Sequence, residues 1–430
     1  MILKTNSLGV WPLKDKSVQA IITSPPYYSL RSYQIPDVII GGDLNHEHVF
    51  IPKARKMPNA SDGQVGKQTT NRGACFVDYH KREIKSGYCS CGAWYGQYGQ
   101  ESDFKDFVTH TLLWTQEAYR VLREDGTFFL NVGDSYNDSG GSHKEWHKND
   151  TGFQGEYGVS CAADGTHQNY PSKSLLLIPE RIVIGLSDQG WIIRNVIIWH
   201  SNNKMCEPHR DRFTKKYEFI FLCVKNSSKN LWWYHKDKKQ WTQQAPEPDY
   251  VYINNSTNES TKVEPEQWRT ITYVDRRGKE LPLWRRRNLW IGLDTYFDLD
   301  SVRVKAPPLN RWGGDRLIAK GHSDWDEGTG HSTYRDRDMQ PNDGMKNPGD
   351  VFSVPTRPLK EQHFASYPVE LIKPLVLCST RLKDVVLDPF VGSGTTVKVA
   401  EELGRQGVGF DLGYHDISNR RLDKITPAFL

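Results

Sequence analysis

Apolar residues follow two patterns in this chain, and the two alternate along much of its length. Short continuous apolar runs are typical of buried strands, and segments with apolar residues three or four positions apart are typical of helices. The strand-like runs are residues 18–22, 128–132, 192–199, 219–224, 385–387 and 407–410. The helix-like segments are residues 104–122, 178–186 and 395–403, and Asp125-Gly126 predicts a turn after the first of them. The alternation predicts an α/β fold with a mostly parallel sheet.

Three long stretches interrupt this alternation. Residues 31–100 are polar, glycine-rich and irregular, and residues 137–170 hold an excess of Gly, Ser, Asn and Asp that predicts a long mobile loop. Residues 226–350 are polar, aromatic and basic. We therefore divide the chain into an α/β part at 1–225, an insert at 226–350 and a second α/β part at 351–430.

The first strand-like run ends in a short motif with candidate chemistry, Ser24-Pro25-Pro26-Tyr27. Two prolines cannot continue a hydrogen-bonded ladder, so the strand must end at Ser24. The Ser24 hydroxyl and a proline carbonyl can accept hydrogen bonds from an amino group, while the Tyr27 ring can stack on a planar ring. The motif therefore predicts a site for a planar ring that carries an amine. For this tetrapeptide alone, the simpler alternative is a surface turn with a tyrosine.

The strand-like run at 385–387 leads into a glycine-rich turn, Asp388-Pro389-Phe390-Val391-Gly392-Ser393-Gly394-Thr395. Its glycines allow a tight turn and a close approach of the backbone to a ligand. Asp411 ends the next strand-like run, about 20 residues further on, where a carboxylate can accept hydrogen bonds from ribose hydroxyls. The G-x-G-x-x-G spacing of a typical dinucleotide site is missing. The alternative is an ordinary helix entry in an α/β protein.

Together the two loops resemble a known family. Ser24–Tyr27 resembles the catalytic motif of the S-adenosylmethionine-dependent amino-methyltransferases of DNA, and Asp388–Gly394 resembles their cofactor motif. The order, catalytic motif first and cofactor motif last, is similar to that of the beta class. Further similarities fall at residues 121–136, 190–199, 211–212 and 363–371.

The resemblance implies a Rossmann-like methyltransferase sheet with helices on both faces and an inserted target-recognition region. It implies S-adenosyl-L-methionine as the cofactor and double-stranded DNA as the partner. The catalytic residues that it implies are Ser24, Pro25, Pro26 and Tyr27. The cofactor-binding residues that it implies are Asp388, Phe390, Gly392, Gly394, Thr395, Asp411, His363, Phe364 and Glu370.

The same resemblance sets the expected reaction. A base inside a duplex must be flipped out to reach a buried cofactor. Tyr27 would then stack on it, while Ser24 Oγ and the Pro25 carbonyl orient its exocyclic amine. In the resembled family serine at this position is more usual for N4 of cytosine, and Asp or Asn for N6 of adenine. We predict N4 of cytosine, with N6 of adenine as the alternative.

Other functions remain as rival hypotheses. One is a methyltransferase of RNA or of a protein amide, against which the large basic insert argues. Another is a DNA-binding protein without activity, against which the intact motifs argue. None of the seven cysteines follows a proline in a context suited to attack on a cytosine ring, which argues against methylation of carbon 5.

The insert lies where the resembled class has its target-recognition region. Arginine can pair with guanine edges, lysine with phosphates, and tryptophan can stack on bases. We predict that Arg285, Arg286 and Arg287 form a phosphate-contacting patch. The alternative is a solvated basic face over a small aromatic core.

Two close pairs of metal-binding side chains, His46 with His48 and Cys89 with Cys91, lie within the irregular region 31–100. Two histidines and two cysteines can form a closed tetrahedral zinc site, which would stabilise a region with little core of its own. Related methyltransferases are similar in having a Cys/His pair followed by Cys-x-x-Cys-Gly-Ala. The alternatives are an exposed histidine-rich loop with two free thiols, or Cys75 as a substitute ligand.

Composition limits the remaining choices. The net charge of the 430 residues is only +4, so a nucleic-acid surface must be a local patch. No apolar stretch approaches the roughly 18 residues that span a membrane, and the irregularly spaced cysteines argue against a disulfide framework. With no signal-peptide pattern at its start, we expect a cytoplasmic protein of prokaryotic or viral origin. A cognate restriction nuclease is one candidate partner; whether it exists, and the oligomeric state, stay open.

Overall fold

The fold is built on an eight-stranded sheet. The computed structural model describes residues 1–29, 36–43, 45–55, 84–101, 103–137, 170–171, 173–204, 206–207, 210–225, 229–275, 278–305, 345–356 and 367–413. The strands of the sheet are β1 (Ile2–Leu3), β2 (Val18–Thr23), β3 (Leu122–Val132), β4 (Trp191–His200), β5 (Tyr217–Lys225), β6 (Val351–Ser353), β7 (Val385–Asp388) and β8 (Gln406–Phe410). The helices are α1 (Phe104–Val121), α2 (Ile178–Asp188), α3 (Val369–Ser379) and α4 (Thr395–Glu402).

The sheet has the order β1-β8-β7-β2-β3-β5-β4-β6. Only β5 runs antiparallel to its neighbours, and all other pairs are parallel. The predicted mostly parallel sheet is therefore confirmed. Since β2 and β7 pair in parallel, with Ile21 opposite Leu387, the loops that follow them lie at the same edge of the sheet.

Both faces of the sheet are covered because side chains alternate along each buried strand. On β3, Phe128 and Leu130 pack into a core that includes buried residues of α1 and α2. Phe129 points into a second core with Leu371 of α3 and Val399 of α4. The predicted helices on both faces are thus confirmed.

The turn predicted at Asp125-Gly126 is wrong. The structure has one strand from Leu122 to Val132, interrupted by a bulge, because Val18 pairs with Leu122 while Ala20 pairs with Thr127. The extra residues of the bulge are held in place by Gln19, whose side-chain amide donates to the Asp125 carbonyl at 3.1 Å, and by a bond among themselves. Asp125 pairs with Arg123 through contacts of 2.9 and 3.3 Å.

The region at 31–100, predicted to be irregular, contains a small antiparallel sheet in its described part. Its strands are Val38–Ile40, Trp94–Gly96, Ile84–Tyr88 and Ile51–Arg55, in that spatial order. Of the predicted mobile loop at 137–170, nearly all lies outside the described residues. The short strands Tyr136–Asn137 and Ser174–Leu175 pair with each other on either side of it.

The insert contributes small sheets of its own. One contains Trp232–His235, Gln240–Thr242 and Trp290–Leu293, and another contains Tyr250–Asn254, Ser260–Thr261 and Trp284–Asn288. Two-stranded ladders pair Thr272–Val274 with Glu280–Pro282 and Val304–Lys305 with Met345–Lys346, and a 3-10 helix spans Leu299–Val302.

The insert is anchored to the central sheet through polar and aromatic contacts. The buried Trp232 donates its indole N–H to Asp125 Oδ2 at 2.7 Å. The backbone N–H of Asp298 donates to the carbonyl of Cys378, at the end of α3, also at 2.7 Å. In the described part of the chain, no helix is long and apolar enough to cross a membrane.

Candidate active site

The two sequence motifs, more than 360 residues apart in the chain, are in direct contact. Thr23, the last residue of β2, donates its hydroxyl to Asp388 Oδ1 at 2.6 Å. This bond joins the start of the Ser24–Tyr27 loop to the start of the glycine-rich turn. The fold therefore brings together the amine-holding loop and the cofactor loop that the sequence predicts.

Asp388 links these two loops to α3 and α4. Its side chain is only 1 % exposed. Burial raises the pKa of its carboxyl, and the hydrogen bonds that the carboxyl accepts oppose this rise in pKa. Oδ1 also accepts from the Phe390 N–H at 3.1 Å, and Oδ2 accepts from the hydroxyls of Tyr367 and Thr396, both at 2.7 Å. With both oxygens engaged by the protein, Asp388 orders the loop that carries the predicted cofactor residues.

The glycine-rich turn has the features of a nucleoside site. Gly392 and Gly394 have φ of 49° and 83°, in the left-handed region that favours glycine. Gly394 immediately precedes α4, and in the described structure no side chain caps that helix start. Its first N–H groups, which have no partner within the helix, can therefore face a ligand. Thr395, the first residue of α4, is buried.

Asp411 follows β8, the strand next to β7, at the same edge of the sheet. It is 7 % exposed, and its Oδ1 accepts the N–H of Gly413 at 3.0 Å. Phe390 lies against the rings of Tyr98 and Trp114, with centroids 5.7 and 5.1 Å apart. Glycines, an acidic strand end and an aromatic side chain fit S-adenosylmethionine, a charged nucleoside.

Tyr27 stands in a polar network that the sequence did not reveal. Its hydroxyl lies 2.6 Å from Glu218 Oε2 and 2.9 Å from Asn131 Oδ1, and Ser24 Oγ donates to it at 3.3 Å. The ring lies against the end of β3, since a Cβ at Gly133 would come within 2.5 Å of it. The only feature of the sequence that could have identified Glu218 is its position as an acidic residue directly before the apolar run 219–224 of β5.

The segment that follows the strand Trp94–Gly96 contacts the predicted catalytic loop. The carbonyl of Gly99 accepts the N–H of Ser29 at 2.8 Å, and a Cβ at Gly99 would lie 3.2 Å from Pro26 Cβ. The N–H of Gly99 donates to the buried Glu101, whose other oxygen lies 3.0 Å from His110 Nδ1. Burial raises the pKa of Glu101, and His110 opposes that rise.

The four predicted metal ligands lie together. The ligand atoms of His46, Cys89 and Cys91 are all within 4.8 Å of one another, and Cys91 Sγ is 3.3 Å from His48 Nδ1. Cys75, the substitute ligand, lies outside the described residues.

The arginine run is split between the two faces of its strand. Arg285, Arg286 and Arg287 are exposed on Trp284–Asn288, where successive side chains point to opposite faces. Arg286 stacks over Tyr250 at 4.1 Å from the ring centroid. Arg285 and Arg287 share the other face. The three therefore do not form one continuous patch.

Three predicted cofactor residues remain, Glu370, His363 and Phe364. Glu370 is exposed in the first turn of α3, three residues after Tyr367. His363 and Phe364 lie outside the described residues.

Several known proteins are similar to this chain in sequence. The family N6_N4_Mtase, described as DNA methylase, matches residues 18–419. The Type II methyltransferase M.SfiI of Streptomyces fimbriatus is 31 % identical over 94 % of this chain and 85 % of its own length. M.Cfr9I of Citrobacter freundii, also a Type II methyltransferase, is 26 % identical over 76 % of this chain and 74 % of its own.

Among solved structures, the PvuII DNA methyltransferase (cytosine-N4-specific) aligns over 100 % of this chain and 87 % of its own, with a TM-score of 0.45 and 12 % identity. The family match covers nearly the whole chain and includes both motifs. The chain therefore belongs to the N6/N4 DNA methylase family and is an S-adenosylmethionine-dependent DNA amino-methyltransferase.

Proposed function

We propose that this enzyme methylates the exocyclic N4 amine of cytosine in double-stranded DNA, on a base flipped out of the duplex. The observation that carries the choice of base is Ser24, a neutral hydroxyl at the head of the catalytic loop. A neutral hydroxyl is a weaker acceptor than the carboxylate usual in the adenine enzymes that the sequence resembles, and it demands less of the amine. N6 of adenine is the alternative.

The catalytic loop would hold the flipped base by three contacts. Ser24 Oγ and the Pro25 carbonyl accept hydrogen bonds from the amine and turn its nitrogen lone pair toward the methyl donor. Tyr27 stacks on the ring. Positioning of this kind supplies much of the rate in a transfer that needs no covalent enzyme intermediate. The cost of extruding the base is a few kcal/mol.

Glu218 and Asn131 are positioning residues in this scheme. Both lie within hydrogen-bonding distance of the Tyr27 hydroxyl, and both stand on strands of the central sheet. Because β3 and β5 are rigid neighbours in the sheet, they fix the angle of the Tyr27 ring. Ser24 in turn donates to the same hydroxyl, so its own orientation depends on this network.

The cofactor loop would bind S-adenosylmethionine, which supplies the electrophilic methyl group when bound. Asp411 would accept hydrogen bonds from the ribose. The turn from Gly392 to Thr395 allows a close approach of the backbone, and Phe390 gives an apolar wall. His363, Phe364 and Glu370 are carried over to this role from the family resemblance.

DNA would lie against the insert at 226–350, which we propose as the target-recognition region between the parts 1–225 and 351–430. Arg285 and Arg287 share an exposed strand face. Burial, and then the nearby positive charge of Arg287, lower the pKa of Lys236, so a further basic side chain lies near Arg287. Such clusters attract phosphates. A restriction nuclease of the same specificity is the proposed partner in the cell.

The test is the modified base itself. DNA from a host that expresses the enzyme should contain N4-methylcytosine at one sequence motif, read by single-molecule sequencing and by mass spectrometry of nucleosides. Ser24→Ala should lose the modification, and Ser256→Ala, at an exposed serine of the insert, should keep it. N6-methyladenine in place of N4-methylcytosine would overturn the choice of base and leave the family assignment intact.

A further inference from the structure

At one end of the small antiparallel sheet lies a cluster of four side chains that methyl transfer does not explain. His46, Cys89 and Cys91 offer ligand atoms within 4.8 Å of one another, and His48 Nδ1 is 3.3 Å from Cys91 Sγ. In a tetrahedral zinc site with bonds of about 2.0–2.3 Å, ligand atoms lie about 3.3–3.8 Å apart. Small side-chain adjustments therefore suffice to enclose an ion.

The chemistry of the four side chains selects the metal and the kind of site. Two imidazoles and two thiols are ligands for zinc rather than for magnesium or calcium, which prefer oxygen. Four protein ligands leave no position for a reacting water. We propose that His46, His48, Cys89 and Cys91 bind one Zn²⁺ in a closed structural site. This site holds in place the segment around Gly99 that contacts the catalytic loop.

The backbone between the two cysteines is already shaped for a metal. The carbonyl of Cys89 accepts the N–H of Gly92 at 2.9 Å, and the N–H of Cys89 donates to the carbonyl of Ala93 at 2.8 Å. Gly92 has a φ of 87°, which favours glycine. This tight turn keeps the two sulfur atoms close together, although only one residue separates the cysteines.

The metal would join the two halves of the small antiparallel sheet. The histidines lie on the connection from Val38–Ile40 to Ile51–Arg55, and the cysteines lie on the turn from Ile84–Tyr88 to Trp94–Gly96. An ion bound by all four cross-links two loops at the same end of this sheet. Such a link would stabilise the end of the sheet where the two loops meet.

The strand Trp94–Gly96 leads directly into the segment that touches both active-site loops. Gly99 holds the catalytic loop through its bond with Ser29, and Tyr98 stacks on Phe390 of the cofactor loop. An ordered turn between Ile84–Tyr88 and Trp94–Gly96 therefore fixes the position of the segment that contains Tyr98 and Gly99. This second step rests on the proposed role of Ser24–Tyr27, whereas the metal site itself does not.

The metal is tested on the whole protein purified without chelator. Elemental analysis should find about one zinc per chain, lost in His48→Ala and Cys91→Ser and kept in Cys206→Ser, which changes an exposed cysteine outside the cluster. Cobalt-substituted wild-type protein should show the intense visible bands of tetrahedral thiolate-bound Co²⁺. This spectrum decides the case even where a variant fails to fold. Zinc-free wild-type protein without a cobalt spectrum would overturn the site.

The link to catalysis is tested separately. Removal of zinc by chelation should lower turnover about 10- to 100-fold, the cost of a small misplacement of reacting groups, and added Zn²⁺ should restore it. Gly99→Ala should lower turnover while keeping its zinc. Gly190→Ala, with a similar φ of 92° and open space around it, is the matched control. Full turnover in zinc-free protein would overturn the positioning role. Zinc-loaded protein inactive on all DNA would instead count against the proposed function.

Discussion

At the residue scale, the candidate active site shows which functional residues a short sequence motif can predict and which it cannot. Ser24, Tyr27 and the glycine-rich turn could be predicted because their residue types have unusual chemistry at short spacing. The partners of Tyr27 could not, since Asn131 and Glu218 lie 104 and 191 residues away and only the sheet brings them near. Tyr367, which bonds Asp388, was missed for the same reason.

Asp411 and Asp388 are both acidic residues at strand ends on the same edge of the sheet. Their surroundings differ, so replacing each with alanine should affect cofactor binding and stability differently. For Asp411→Ala, loss of a charge-assisted hydrogen bond to ribose should weaken S-adenosylmethionine binding by about 1.5–3 kcal/mol. The thermal unfolding temperature should change little. Calorimetric titration with the cofactor measures the first quantity, and differential scanning calorimetry the second. An unchanged dissociation constant would contradict the ribose role.

The contrasting variant is Asp388→Ala. It leaves the hydroxyls of Thr23, Tyr367 and Thr396 without their buried acceptor, so it should lower the unfolding temperature together with cofactor affinity. A variant of Asp388 that bound the cofactor weakly but unfolded normally would show that its role is direct contact and not loop order.

Tyr27 combines a ring and a hydroxyl whose roles can be separated. Tyr27→Ala should lower turnover by the loss of stacking, about 1–3 kcal/mol, and leave cofactor binding intact. Tyr27→Phe should keep the stacking and lose only the link to Glu218 and Asn131, so its loss should be smaller. Single-turnover methylation at saturating cofactor measures both. Loss of cofactor binding with normal turnover would refute the stacking role.

At the scale of the element, long strongly patterned segments were predictable and short polar ones were not. The six predicted buried runs and the three predicted helices of the central fold are present near their predicted bounds, except that β3 begins at Leu122, six residues early, and α3 had not been predicted. The small sheet at Val38–Gly96 was missed because its strands have three to five residues and no clear alternation. The bulge in β3 was predicted to be a turn, because Asp-Gly is typical of turns when only the local sequence is considered.

The packing of α4 on β8 gives a prediction at this scale. Gly407 lies under the helix, where a Cβ would be 2.8 Å from both Val397 Cγ1 and the Val397 carbonyl oxygen. Gly407→Ala should therefore push the helix away and destabilise the protein by about 1–3 kcal/mol. Chemical denaturation measures the change.

The matched control is Gly9→Ala, because the nearest atoms to a Cβ there are 3.9 Å away, an ordinary contact. It should unfold like the wild type. Equal stability of the two glycine variants would show that α4 can shift without cost and that the close approach is not a constraint.

At the scale of the whole molecule, the insert is a separate set of small sheets that the central sheet holds by specific contacts. Trp232, Trp241 and Tyr296 form an aromatic cluster, with Trp232 3 % exposed and bonded to Asp125. The tryptophans that suggested base stacking therefore include core residues. Composition could predict a basic aromatic region, but it could not say which aromatic residues face DNA.

The split of the arginine run sharpens the prediction about DNA binding. Arg285 and Arg287 share one exposed face, so replacing both with Ala should remove two phosphate contacts. The slope of log affinity against log salt should then decrease in magnitude by about 1.8, at about 0.9 per contact. Affinity for specific and random DNA should fall alike, while turnover at saturating DNA stays near that of the wild type.

Arg286→Ala is the internal control for this surface. Its guanidinium lies over Tyr250 and 5.0 Å from the Trp268 ring centroid, on the opposite face of the strand. It should leave the salt slope unchanged and lower the thermal stability of the insert instead. Fluorescence anisotropy with specific and random duplexes over a range of salt separates the outcomes. Normal binding of random DNA with loss of the target site in the double variant would make Arg285 and Arg287 base readers. An unchanged salt slope in the double variant, together with a reduced salt slope in Arg286→Ala, would place the DNA on the other face of the strand.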